Sequence, residues 1–145
     1  MLRRIIATSG TWVALPLRLV IGAVFIGHGS QKLFGAFGGP GLAKWTSSPP
    51  PLAFMQPMGK YWMGAAVAAE FLGGILVLLG LLTRVGALLI LGTMITAIVG
   101  VHWPGGFFAP EGIELPMTLA GICLALLLTG GGQVYGDLAL SKRRR

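Results

Sequence analysis

The chain has 145 residues, of which 54% are hydrophobic and 10% charged, with a mean hydropathy of +0.82. Soluble domains carry roughly a quarter charged residues, so the polar side chains here are too few to coat a globular surface in water. The formal charge of +7 does not mark a nucleic-acid partner: Arg3, Arg4, Arg84, Lys142, Arg143, Arg144 and Arg145 hold seven of the eleven basic residues, in terminal clusters or beside apolar runs rather than on one face with interleaved aromatics.

From the N-terminus, Arg3 and Arg4 precede an apolar stretch that Arg18 interrupts, so no cleaved signal peptide is expected. A spanning helix needs ~20 mostly apolar residues. The first stretch to meet this runs from about 15 to 34, with Pro16 in the first turn, where a helix tolerates proline. Residues 35–60 follow, broken by Gly38-Gly39-Pro40-Gly41 and Ser47-Ser48-Pro49-Pro50-Pro51, yet amphipathic through Trp45, Phe54, Tyr61 and Trp62 at their edges. They read as an interfacial loop outside the cytoplasm, with a short helix around Leu42 to Thr46.

The second stretch covers about 61–82 and the third about 85–102, separated only by Thr83 and Arg84, which predicts a tight antiparallel hairpin. After a loop from Trp103 to Glu114 that holds no lysine or arginine, the fourth stretch covers about 115–131. A basic cytoplasmic tail closes the chain at 138–145. Small residues recur every fourth position at Ala65, Ala69 and Gly73, at Gly92, Thr96 and Gly100, and at Gly121, Ala125 and Thr129, a spacing that reads as helix packing in a bilayer. The expectation is an all-α, integral membrane four-helix bundle, one domain over residues 1–145. Both termini are expected to be cytoplasmic, because the terminal clusters and Arg84 fall on one side of a four-span arrangement.

Ionisable residues within a span cost about 2.5 to 3.5 kcal/mol on insertion scales, so each needs a partner or a use. Glu70 lies mid-span in the second stretch, thirteen residues from Thr83, and His28 lies thirteen residues from Leu15. At ~1.5 Å per residue both are about 20 Å up from the cytoplasmic side, within reach of each other. Gln31 and Lys32 follow one turn beyond His28, while His102 and Glu114 stand at the outer ends of the third and fourth stretches. Two accounts of the set His28, Gln31, Lys32, Glu70, His102 and Glu114 stand side by side. In one, Glu70 is satisfied by His28 or Lys32 and the pairing selects helix neighbours. In the other, the set binds a polar headgroup or relays protons. No His-x-x-His or Glu-x-x-His spacing supports a metal, and none is expected. Arg18 reads as snorkelling to the cytoplasmic interface, with an ion pair to Asp137 as the alternative; Arg84 is a further ion-pair candidate. Cys123, the single cysteine, reads as a packing residue.

The motifs Arg18-Leu19, Gly27-His28-Gly29-Ser30-Gln31-Lys32-Leu33-Phe34, Glu70-Phe71-Leu72-Gly73-Gly74 and Gly80-Leu81-Leu82-Thr83-Arg84, then His102 with Gly106-Phe107-Phe108, Glu114, Thr129-Gly130 and Asp137, occur in this order. Together the chain resembles the DoxX family of small bacterial membrane proteins over about residues 14 to 138. The resemblance implies four helices, a location in the cell membrane and association with redox systems; one relative is the small subunit of a thiosulfate:quinone oxidoreductase. The leading expectation is therefore a multi-pass inner-membrane subunit of a quinone-linked oxidoreductase system, with a pocket lined by His28, Gln31, Lys32, Glu70 and His102. A purely structural subunit of a larger membrane complex is the rival. No intrinsic cofactor is expected, quinone is the candidate ligand, and the expected partners are lipid and other membrane subunits or copies of the same chain.

Overall fold

The computed structural model of the protein describes residues 11–108 and 110–132, and within them the chain is all helical, with no strand. Its helices are α1 (Ala14–Phe34), α2 (Gly41–Ser47), α3 (Gly59–Leu79), α4 (Thr83–Ala97) and α5 (Glu114–Thr129). A 3₁₀ turn at Ala53–Met58 leads into α3, and a π-helical turn at Ile98–His102 extends α4. The segments Ala53–Leu79 and Thr83–Gly105 are long and apolar enough to cross a membrane. The other two expected stretches are also helical but differ in kind. The first helix, α1, has 21 residues and carries Arg18, His28, Gln31 and Lys32, whereas α5 is apolar with only 16 residues.

Helix ends follow from backbone chemistry. Gly35 stops α1 in the left-handed conformation (φ 73°), its N–H returning to the carbonyls of Ser30 and Gln31, and Gly80 ends α3 the same way (φ 67°). The hairpin turn is thus Gly80 to Leu82, with Leu82 also left-handed (φ 48°). Thr83 and Arg84, expected to form that turn, instead start α4. An arginine in an opening turn gains nothing from the helix dipole. Its Nη2 donates to the carbonyl of Leu128 at 3.0 Å, so Arg84 ties α4 to the last turn of α5.

The first helix packs chiefly on α3, α3 on α4, and α4 on α5, with a smaller contact between α1 and α5. Ile21, Phe25, Val77, Ile90, Cys123 and Leu126 form the buried centre. Missing side chains set the closest approaches. A Cβ on Gly29 would lie 2.7 Å from the Cα of Phe71, and one on Gly74 would lie 2.9 Å from the amide nitrogen of Ile26, so α1 and α3 touch backbone to backbone. Near the hairpin, Gly73 and Gly86 meet in the same manner, each within about 3 Å of the other's carbonyl oxygen.

Arg18 departs from expectation. It is 3% exposed and does not snorkel. Its guanidinium donates to the carbonyls of Val77 (2.9 Å), Leu78 (2.9 Å) and Gly131 (2.8 Å). Two of these are last-turn carbonyls of α3, where a helix presents partial negative charge. A planar fork of five donors satisfies several such oxygens at once, so an inward route is available that exposure would waste. Asp137, the alternative partner, lies outside the described residues.

Candidate functional site

The hairpin of α3 and α4 is closed at Gly73 and Gly86 and open at its far end. Ala65 and Ala69 on α3 and Gly92 and Thr96 on α4 all line a cleft of about 720 Å³. These small residues read in sequence as packing surfaces. Here they create space: a Cβ on Gly92 would meet nothing within 4 Å. At the Gly73 end the α3 stripe makes tight helix contact.

The segment between α1 and α3 roofs the cleft. Pro51 lies against Gly100 in the π-helical turn, where a Cβ would come within 2.7 Å of the proline ring. Trp45 on α2 donates its indole N–H to the carbonyl of Met63 at 3.1 Å, and Gln56 donates to the carbonyl of Pro50 at 3.2 Å. Pro49, Pro51, Met55 and Trp62 line the same space. The walls are therefore mostly apolar.

One ion pair faces this apolar space. The Nζ of Lys32 lies 2.6 Å from Oε1 and 2.5 Å from Oε2 of Glu70, and the two side chains are only 16% and 6% exposed. The same ammonium sits 4.6 Å from the centre of the Trp45 ring, a cation–π contact. Within a low-dielectric setting a lone carboxylate is expelled or neutralised; the pairing satisfies both charges and links α1 to α3.

Not all of the candidate set converges here. His28 is exposed, its ring 6.3 Å from that of Phe25, and makes no contact with Glu70. Depth arithmetic placed the two side by side, but rotation about the helix axis decides. Gly29 marks the line where α1 touches α3, and His28 is turned about 100° from it. Lys32 is about 60° off that line on a long, flexible stem and reaches Glu70. Gln31 is half-buried and does not line the cleft. The Nδ1 of His102 lies 2.9 Å from the carbonyl of Glu111; since a carbonyl only accepts, Nδ1 carries a proton and fastens the loop after α4. Glu114 opens α5, where a carboxylate suits the helix dipole, and its N–H donates to the carbonyl of Phe107 at 2.9 Å. Sequence reasoning missed Trp45, Thr93 and Thr96, which all line the cleft with Lys32 and Glu70. The available signal was the pair of small-residue stripes on consecutive helices.

Residues 13–103 match the DoxX family model. The chain belongs to the DoxX family. An uncharacterized membrane protein of Mycobacterium tuberculosis is 34% identical, the match covering 97% of this chain and 88% of that protein. No solved structure matches. The DoxX match spans α1 through the π-helical turn, and so includes both walls and the roof of the cleft, with Lys32 and Glu70 inside it. As a member of this family the chain is a membrane protein, in agreement with its two long apolar segments.

Proposed function

We propose that the protein is a membrane subunit of a quinone-linked oxidoreductase system and that the cleft between α3 and α4 is its quinone site. The observation that carries this reading is a largely buried ion pair, Lys32 with Glu70, set into a mostly apolar cleft of about 720 Å³. Ligand sites typically enclose ~300–1,000 Å³, with apolar walls and a few polar groups that set orientation. A quinone matches that division: an apolar ring and tail, and two oxygens at the ends of the ring. No haem, flavin or iron–sulfur signature is present in the sequence, so electrons come and go through the quinone and a partner protein.

In this reading α1, α3, α4 and α5 cross the inner membrane as a four-helix bundle, with both termini cytoplasmic and the roof of the cleft on the outer side. The face of α5 around Gly121, where a Cβ would meet open space, supports a second element of the reading: contact with another subunit or a second copy.

The test is binding of a short-tailed ubiquinone analogue to purified protein in lipid nanodiscs, read by quenching of tryptophan fluorescence against empty discs. Gly92→Leu fills the cleft without a backbone clash and replaces a poor helix former with a good one. The expected result is saturable binding to the native chain and at least tenfold weaker binding to Gly92→Leu. Equal binding by both removes the cleft from the account.

A further inference from the structure

The cleft is closed at both ends and along its inner side. At the hairpin end Gly73 and Gly86 bring α3 and α4 into backbone contact. Toward the bundle, Ile90 and Met94 belong to the buried core. At the far end Pro51 seats against Gly100, and the indole of Trp45 is tied to the carbonyl of Met63.

The remaining side lies between the outward faces of two helices. On α4, Leu88, Gly92, Ile95 and Val99 follow one another at i, i+4, i+7 and i+11, so they form a single stripe, and its three bulky members are well exposed. Gly92 is the gap in that stripe: it is exposed, it lines the cleft, and a Cβ there would meet nothing within 4 Å. On α3 the equivalent stripe is Tyr61, Ala65, Ala68 and Leu72, with large exposed side chains at its ends and alanines between them. Of the two alanines, Ala65 lines the cleft.

The thinned parts of the two stripes stand at one depth. Gly73 meets the stretch from Gly86 to Ile90, so counting four residues outward along each helix brings Ala69 level with about Gly92. Glu70 adjoins Ala69, which places the ion pair at the depth of the gap. Because α3 and α4 lie in the two long apolar segments of a membrane protein, what stands outside this window is lipid.

Resting on the quinone-site reading above, we infer that the window is a portal: the ligand enters sideways from the bilayer between α3 and α4, its ring stops at Lys32 and Glu70, and its chain remains in the portal and the lipid beyond. The ligand class is then a membrane-dissolved quinone with a long apolar chain. The inference concerns binding alone, and no electron transfer is part of it. A chain that stays in lipid loses nothing when the ring binds. A chain drawn out of lipid into water, as a pose that emerges past the roof requires, weakens binding about fourfold for each CH₂.

The experiment compares two probes with the same ring on the native chain in nanodiscs: decylubiquinone, and ubiquinone with a full-length polyprenyl chain. Dissociation constants are expressed as mole fractions in lipid, which removes the effect of chain length on partitioning. The long-chain probe is expected to bind no more than about threefold more weakly than decylubiquinone. A larger loss overturns the portal and leaves the site standing, whereas failure of both probes to bind overturns the site itself. Ala65→Phe narrows the window, while Ala68→Phe adds the same ring about one turn away on the lipid face, outside the cleft lining. Both alanines are exposed, so neither change displaces a buried side chain. The long-chain probe is expected to bind Ala65→Phe at least tenfold more weakly than Ala68→Phe, and a smaller difference also overturns the portal.

Discussion

Replacing Arg18 with methionine tests how the helix ends are held. Among the described residues one guanidinium serves three carbonyls from two separate parts of the chain, the end of α3 at Val77 and Leu78 and the turn after α5 at Gly131. Hydrogen bonds to charged groups contribute about 1.5–3 kcal/mol each, so three are worth roughly 4.5–9 kcal/mol gross. Burying the guanidinium costs several kcal/mol, and methionine recovers that cost while filling similar volume. The net expectation is a destabilisation of about 2–4 kcal/mol. Arg18→Lys keeps the charge but presents a single point donor in place of a fork, and is expected to recover less than half of the loss. The assay is equilibrium unfolding in mixed micelles of rising SDS fraction, followed by circular dichroism. Stability of Arg18→Met within 0.5 kcal/mol of the native chain refutes the reasoning, because the three bonds would then contribute nothing beyond the desolvation they offset.

Two further expectations follow from packing and topology. Gly29→Leu drives a side chain into the backbone of α3 at Phe71 and is expected to cost about 1–3 kcal/mol or more, whereas Gly27→Leu, two residues away on a face open beyond 4 Å, is expected to stay within 0.5 kcal/mol in the same unfolding assay. For orientation, a cysteine at Gln56, exposed in the roof segment, is expected to react with a membrane-impermeant maleimide in intact cells, and a cysteine at Arg145 only after lysis. The native Cys123 is fully buried and stays silent. Reaction of both positions from the same side contradicts the four-span arrangement.

The helices were legible in sequence because runs of apolar residues long enough for a bilayer leave the backbone few options but to satisfy itself internally. Proline at 16 marked one beginning, whereas the apolar run carries the second stretch to about 82 and the helix stops earlier, at Leu79, where Gly80 takes the left-handed conformation. Rotation about each axis was not legible. His28 and Glu70 share a depth, yet which of His28 and Lys32 meets Glu70 depends on where α1 touches α3, and that line is drawn by Gly22, Gly29 and Gly74, residues whose significance lies in what they lack. The cleft escaped for a related reason. Ala65, Ala69, Gly92 and Thr96 have the spacing of a packing stripe, and the same spacing gives contact where helices converge and space where they diverge. For Arg18 the snorkelling alternative failed because an arginine near a span end can also turn inward to helix-end carbonyls, and the choice depends on the turn after α5 being nearby; the Asp137 alternative lies outside the described residues.

The cleft itself is tested most directly by photoaffinity labelling. An azido-quinone irradiated with the purified protein in nanodiscs, followed by peptide mapping, is expected to mark the roof between Trp45 and Met63 and the α4 wall between Leu89 and Val101, with both signals lost in Gly92→Leu. Adducts concentrated on the exposed face of α1 around His28, or labelling unaffected by Gly92→Leu, would contradict the assignment of quinone to this cleft.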